Sequence, residues 1–230
     1  MNKKQVAAMF DNIAPAYDFL NRLLSLNIDK CWRKQLRKLL DKSNSETVLD
    51  VATGTGDLAI ECARNKKRKI IGIDIAEKML AEGRKKIEKK KLQAYIELKY
   101  GDGENIDFET NTFDSVIVGF GVRNFENLEK GLSEMHRVTK PNGKVFILDF
   151  SMPRNRLLLW FYKFYFFCVL PTIGKLFSKN KYAYKYLPES VSRFPQYEEM
   201  NAVLSKTGYS NIFYKPLTFG IATIYSGQKL

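Results

Sequence analysis

Residues 48–59 read VLDVATGTGDLA. An apolar run closes on Asp50, Gly54 and Gly56 follow with one residue between them, and a helical pattern begins at Asp57. Strand, glycine-rich turn and helix in that order form the opening unit of a doubly wound α/β sheet. Ligands of such sheets bind beyond the carboxyl ends of the strands, at the switch point. Glycines in the turn let backbone approach a ligand closely and present helix N–H groups to it.

Moving outward, strand and helix patterns alternate. TVLDVA, KIIGIDI, AYIELKY, FDSVIVGF and GKVFILDF read as strands. GDLAIECARN, AEKMLAEGRKKIEKKK and NLEKGLSEMHRVTK read as helices between them. Mostly continuous apolar strands separated by helices predict a parallel sheet covered on both faces. Before residue 46 the apolar residues Leu20, Leu23, Leu24, Trp32, Leu36, Leu39 and Leu40 recur at helical spacing. After residue 150 an aromatic-rich stretch appears, then a helical QYEEMNAVLSKTGY, then NIFYKPL and GIATIYSGQKL as a terminal antiparallel hairpin. The expected architecture is one α/β domain, residues 1–230. It comprises a helical N-terminal cap (1–45), a ligand-binding core (46–150), a hydrophobic insertion (151–195) and a C-terminal helix and hairpin (196–230).

The chain has 230 residues, 45% of them hydrophobic, and a formal net charge of +13. That charge favours anionic partners. Much of it lies in NKKRK (65–69) and RKKIEKKK (84–91), which read as solvated loop or helix faces. Cys31, Cys62 and Cys168 stand far apart in no metal-ligand spacing and are expected as buried free thiols in a reducing cytoplasm. No metal site is expected. The start, MNKKQVAAMF, carries no signal-peptide pattern.

Asp74 ends the second strand, 20 residues after Gly54, where a carboxylate can take both hydrogen bonds of a ribose diol. Gly54-x-Gly56-x-x-Ala59 also fits the dinucleotide fingerprint, so two cofactor classes share these features. Asp50 discriminates between them. Its negative charge beside the turn would repel a pyrophosphate and would suit the ammonium and sulfonium of S-adenosylmethionine. Asp102, after the third strand, is placed to meet an adenine amine. Any one of these acids could be an ordinary helix cap. Three at the ends of consecutive strands make a cation-seeking crown.

VLDVATGTGDLA, GDGENIDF, NTFDSVIVGFGVRNFEN and EMHRVTKPNGKVFILDFSMP together resemble the ubiquinone/menaquinone biosynthesis methyltransferase family. MFDNIAPAYDFLNRLLSLNIDKCWRK at the start is similar to that family's N-terminal signature, and YKYLPESVSRFP and LTFGIATIYSGQK to its C-terminal ones. GFGVRN and the Tyr17-Asp18-x-x-Asn21 start are far more specific than the glycine turn. The resemblance implies a seven-stranded Rossmann-like sheet with an antiparallel last strand. It implies S-adenosylmethionine as methyl donor, S-adenosylhomocysteine as product, and a ring carbon of a polyprenylated hydroquinone as acceptor. By the resemblance, cofactor contacts fall on Thr55, Asp74, Asp102 and Gly103; Asp50, Gly54 and Gly56, read from the turn and strand end, and Gly119 complete the expected cofactor site. Gly119 stands where some relatives carry a serine, Gly103 replaces the family's usual alanine, and Asn142 replaces a glycine in the turn before strand five.

A ring carbon becomes a good nucleophile when a hydroxyl of the hydroquinone loses its proton, so the enzyme must align the carbon with the methyl and stabilise a phenolate. Arg123 is the candidate for phenolate stabilisation, and Asn124 for orienting the ring. Tyr17 or Asp18, from the N-terminal cap, would take or relay the hydroxyl proton. His136, the only histidine, lies late in a helix and is not assigned a role.

The expected acceptor is demethylmenaquinol. The equivalent step of ubiquinone biosynthesis, or another lipophilic phenolic acceptor, is the alternative. LLLWFYKFYFFCVL (157–170) is shorter than a spanning helix of about 20 residues, carries Lys163, and is flanked by Arg154, Arg156, Lys175, Lys179 and Lys181. It is expected to lie in a membrane interface or to wall a prenyl channel. A cytoplasmic protein on the inner membrane face, possible as a homodimer and with no nucleic-acid partner, fits these features.

Overall fold

The computed structural model describes residues 2–25, 27–64, 68–165 and 181–230. Cys168, Lys175 and Lys179 lie outside the described residues, as do residues 65–67 of the first basic run and the side chains of Asn21 and Lys181.

Seven strands form one sheet: β1 (Thr47–Val51), β2 (Lys69–Asp74), β3 (Ile96–Tyr100), β4 (Phe113–Gly119), β5 (Thr139–Phe150), β6 (Ser210–Leu217) and β7 (Ala222–Gln228). Their order is β3-β2-β1-β4-β5-β7-β6. The first five are parallel, and β7 runs antiparallel between β5 and β6. The expected sheet and terminal hairpin are both present. Strand order reverses beside β1, so the carboxyl ends of β1 and β4 flank the switch point.

Eight helices among the described residues surround the sheet: α1 (Lys3–Leu24), α2 (Ile28–Lys42), α3 (Asp57–Cys62), α4 (Glu77–Lys89), α5 (Leu128–Val138), α6 (Arg156–Phe164), α7 (Lys181–Arg193) and α8 (Glu198–Lys206). Side chains alternate across a strand. Val48 therefore packs with α2, α3 and α4 through Leu36, Leu40, Leu58 and Leu80 on one face. Leu49 and Val51 pack with Leu132, Met135, Met200 and Leu204 of α5 and α8 on the other. The sheet is thus buried on both sides, as its apolar strands require. The N-terminal cap is two helices, divided where Asn27 adopts a left-handed φ of 61°.

Strand β5 begins earlier than its apolar run. Asn142 takes φ 64°, its N–H donates to the Lys229 carbonyl, and the Lys229 N–H donates to the Gly143 carbonyl. The turn expected there survives as an irregularity within a paired strand. Two further expectations are corrected. Cys31 is exposed, because the buried face of α2 runs through Asp29, Trp32, Arg33, Leu36, Arg37 and Leu40. Arg68, in a run read as solvated, is only 1% exposed and pairs with Asp41. Cys62 is a buried free thiol.

Phe125, which helps wall the cleft at the switch point, is seated between two glycines. A Cβ at Gly103 would fall 2.8 Å from its ring, and one at Gly131 only 2.3 Å from it. Gly131 lies inside α5, where alanine would add about 0.5–1 kcal/mol of helix propensity, but overpacking costs about 1–3 kcal/mol. Gly131→Ala should therefore lower stability, read as a smaller urea midpoint at unchanged slope.

Candidate active site

The carboxyl ends of β1, β2 and β4 enclose a cleft of about 990 Å³, its open mouth included. The backbone around it is strained at several points. Ala52 and Phe120, neither a glycine, take φ of 53° and 61°, and Gly54 and Gly56 take 56° and 74°. Non-glycine residues held this way cost about 1–3 kcal/mol each and persist where the surroundings over-determine them. Here the turn is stitched to β2 by the Thr53 N–H donating to the Ile73 carbonyl at 3.0 Å. A Cβ on Gly121 would lie 2.5 Å from that of Ala52, so the GFGVRN segment can approach the glycine turn only without a side chain there.

The three acids sit on neighbouring strands, as the order β3-β2-β1 demands. Asp50 is 0% exposed and accepts from the Thr53 hydroxyl at 2.7 Å. Its Oδ1 has no hydrogen-bond partner among the described residues. Burial, opposed by the Thr53 hydroxyl and the Ala59 N–H and reinforced by the Asp74 charge, pushes its carboxyl up to about 7. Asp74 accepts from the N–H groups of Gly54 at 2.8 Å and Ala76 at 2.9 Å, and burial raises it to about 6. It braces the glycine turn while lining the cleft. Asp102 accepts from the Glu104 N–H and pairs with Lys3 at 2.6 Å. Gly103 lines the cleft beside it, and Gly119 lies with Leu58 against its missing side chain.

Helix α1 closes one side through charge. Lys3 bridges to Asp102 and, at 3.3 Å, to Glu104. Near the other end, Thr55 donates to Asp18 at 2.7 Å, and Lys86 donates to both Asp18 and Thr55 at 2.7 Å. Lys86 also pairs with Asp57. Burial opposes ionisation of Asp57, but Lys86 and Arg33 overcome it and hold its carboxyl low. Tyr17 lines the cleft and packs edge-on to Phe10 at 6.0 Å. Asp18 does not line it; its oxygens are engaged by Thr55 and Lys86. Sequence reading missed Lys3, Lys86 and Glu104, since their partners lie 99, 68 and 22 residues away.

Arg123 and Asn124 form a short turn after β4 (Val122–Asn124). The Arg123 side chain is 6% exposed, pairs with Asp149 of β5 at 2.8 Å, and lies over the Phe150 ring at 5.3 Å. Its Nη1 also donates to the Phe120 carbonyl, and its Nε is buried without a hydrogen-bond partner among the described residues. Burial raises the Asp149 carboxyl against the opposing pull of Arg123. Arg123 therefore stands behind Phe120, whereas Asn124 lines the cleft with a buried, unpartnered Oδ1. His136 is remote from this end. It packs edge-on to Tyr209 at 5.0 Å, and burial, with the Lys229 charge, lowers its pKa.

The model of the ubiE/COQ5 methyltransferase family matches residues 1–229. The chain belongs to that family. It is 48% identical over 228 residues to the ubiquinone/menaquinone biosynthesis C-methyltransferase of Geobacter sulfurreducens, covering 98% of this chain and 89% of the relative. It is 45% identical over 227 residues to the demethylmenaquinone methyltransferase of Bacteroides fragilis, covering 98% of this chain and 93% of the relative. Among solved structures the fold is shared with the cyclase SpnF, with a TM-score of 0.72 at 14% identity over 99% of this chain and 96% of that one. It is also shared with phosphoethanolamine N-methyltransferase 2 of Haemonchus contortus, solved with S-adenosylmethionine, with a TM-score of 0.63 at 16% identity over 85% of this chain and 52% of that one.

For a member of the ubiE/COQ5 family the cleft has the right chemistry for a cationic methyl donor. An orphaned carboxylate oxygen at Asp50 invites a cation, and ionised Asp50 and Asp74 disfavour a diphosphate. In the folded protein both carboxyls are raised, so their neutral forms are favoured. Their contribution to stability is full below about pH 4 and is lost as pH rises through about 6 to 7. For Asp50 the loss is on the order of 4 kcal/mol, at about 1.4 kcal/mol per unit. A bound cation would reverse it. Donor affinity should accordingly weaken about tenfold between pH 8 and pH 6, through uptake of one proton. Asp50→Asn should melt higher than the native protein at pH 8 without ligand, yet bind S-adenosylmethionine far more weakly and with little pH dependence. Calorimetry at pH 6, 7 and 8 checks this, and an unchanged affinity in the variant would contradict it.

Proposed function

We propose that this protein transfers the methyl group of S-adenosylmethionine to a ring carbon of a polyprenylated demethylmenaquinol, giving menaquinol and S-adenosylhomocysteine. One observation carries the reading: a cation-seeking carboxylate crown and the Asn124 amide face the same cleft, with the Arg123 charge just behind it. Full-length family membership supplies the acceptor class. The relative from Bacteroides fragilis is named for menaquinone alone, which favours demethylmenaquinol. The relative from Geobacter sulfurreducens is named for both quinones, which keeps the equivalent ubiquinone step as the second reading.

The donor supplies an electrophilic methyl carbon on a sulfonium. Asp50 would hold its positive end, Asp74 its ribose and Asp102 with Gly103 its adenine, with Gly54, Thr55, Gly56 and Gly119 giving close backbone approach. Thr55 lends its hydroxyl to the latch with Asp18 and Lys86, which keeps α1 and Tyr17 over the site and excludes water. Asn124 Oδ1 would accept from a ring hydroxyl. Arg123 would stabilise the phenolate oxygen through its charge from behind Phe120. Asp149 keeps that guanidinium in place. Tyr17, which lines the cleft, would pass the hydroxyl proton outward, while Asp18 serves the latch. A prenyl chain on the acceptor favours a reaction at the inner face of the cytoplasmic membrane.

The test is to incubate the protein with methyl-labelled donor and short-chain demethylmenaquinol and to locate the label on the ring; label on oxygen, or none, would refute the assignment. Removing Arg123 outright would leave Asp149 buried and unpaired, at a cost of about 3–5 kcal/mol. Arg123→Lys keeps the charge and loses the fork. It should lower kcat by about 10²–10³-fold while the donor Kd changes less than about twofold.

A further inference from the structure

Helix α6 presents its apolar residues to solvent. Leu157, Trp160, Phe161 and Phe164 are 65%, 62%, 54% and 54% exposed. They recur at i, i+3, i+4 and i+7, so at about 100° per residue they form one stripe about 100° wide. Trp160 packs edge-on to Phe161 at 4.9 Å and stacks on Phe164 at 6.2 Å, which makes the stripe a continuous aromatic surface. Arg156 and Lys163, both exposed and neither in an ion pair among the described residues, fall within about 60° of one edge of the stripe. Basic residues at the border of an apolar face are the arrangement of a helix lying in the plane of an anionic membrane surface. The helix has nine residues, and no helix of the described chain is long and apolar enough to cross a membrane.

The opposite side of α6 is tied to the body of the protein. Tyr162 is 6% exposed and packs with Val191, Phe150 and Met152. Phe150 in turn packs at a tilt against Phe120, at 4.7 Å between ring centroids, and Phe120 lines the cleft. A second exposed aromatic lies beside the lead-in to the helix. Phe219 is 79% exposed on a turn where Thr218 and Phe219 both take positive φ, 44° and 58°. That turn is anchored by the Ser151 hydroxyl donating to the Gly220 carbonyl at 2.8 Å. Two consecutive strained residues that hold a phenyl ring in water call for a partner that covers it.

We propose that the outer stripe of α6, together with Phe219, is an in-plane docking surface for an anionic lipid bilayer, and that the lipophilic acceptor reaches the cleft along the Tyr162–Phe150–Phe120 line behind it. The second half of this proposal rests on the quinol reading above; the first half does not. The excess of basic residues over the whole chain, +13, matches an anionic surface. It disfavours a second copy of the same chain, which would bring like charge to like charge.

Vesicles of phosphatidylcholine with and without phosphatidylglycerol, free of quinol, test the surface directly. The chain has two tryptophans; Trp32 is buried at 3% exposure and Trp160 is exposed, so Trp160 reports contact. Phosphatidylglycerol vesicles should sediment the protein at low salt and shift its tryptophan emission to the blue. The double variant Phe161→Ser/Phe164→Ser keeps the reporter and changes only exposed side chains. It should bind these vesicles at least about tenfold more weakly. It should turn over a detergent-free, short-chain acceptor at the native rate and lose rate only with a long-chain acceptor held in vesicles. Arg156→Glu/Lys163→Glu should abolish the preference for anionic lipid. Equal vesicle binding by native protein and the phenylalanine variant would overturn the proposal. So would a blue shift that appears without vesicles and grows with protein concentration, which would assign the stripe to self-association. If no quinol is methylated under any condition, the functional reading fails while vesicle binding still decides the surface.

Discussion

The active end of this protein depends on keeping two carboxylates dry at the carboxyl ends of β1 and β2. The same residue type behaves oppositely at the other end of the sheet. Asp114, at the start of β4, works against desolvation with Lys140, the Thr47 N–H and hydroxyl and the Glu46 N–H, and its carboxyl falls to about 2. Asp50 and Asp74 pair with no cation among the described residues, and burial lifts them to about 7 and about 6. An uncompensated buried acid destabilises a fold unless a ligand supplies the missing charge. The parallel sheet, buried on both faces, is stiff enough to hold this arrangement, together with the left-handed backbone at Ala52 and Phe120.

Helix α1 is attached by a different kind of force. Among the described residues, Ala14, Phe10 and Tyr17 pack against Ala76 and Met79, and Val6 and Met9 are buried as well. Further attachment is ionic, through Lys3 at one end and Asp18 with Lys86 toward the other. Those side chains are 21–31% exposed, so water and salt reach them. Ion pairs of that kind contribute little each. These partly exposed ion pairs distinguish α1 from α2, whose Leu36 and Leu40 are wholly buried. A cleft that must admit a donor and release its product needs one wall of this sort.

The parts legible in the sequence were those written in local pattern. The strand periods, the glycine turn and the three acids at successive strand ends follow from residues a few positions apart, and the structure places them as expected. What was not legible was long-range pairing of charges. Lys86 belongs to a run that reads as a solvated face, yet its ammonium is held among Asp18, Thr55 and Asp57. Arg68 reads as part of a basic loop, yet it is buried against Asp41. Arg123 was found by its position after β4, but its partner Asp149 is 26 residues away on the adjacent strand. Only the parallel pairing of β4 with β5, Gly119 beside Leu148, brings the two together.

The switch point divides the site into halves of unlike chemistry, and the division follows from topology. Over β1, β2 and β3 lie carboxylates and a glycine turn, suited to a polar cation. Over β4 and β5 lies Phe120, backed by Phe150 and Trp32 with centroids 4.7–6.1 Å apart, an apolar wall suited to a flat ring. Arg123 and Asp149 are the polar exception on the aromatic side. A buried pair such as this often contributes little or nothing to stability relative to apolar residues of the same volume. Arg123 keeps one donor unspent, and its guanidinium lies against Phe150 and bonds the carbonyl of the strained Phe120. A charge retained at such cost within an aromatic wall is well suited to stabilising negative charge on a ring lying against that wall. On the proposed reading the acid half would bind the donor, and the aromatic half with the Arg123 guanidinium behind it would decide which acceptor can react.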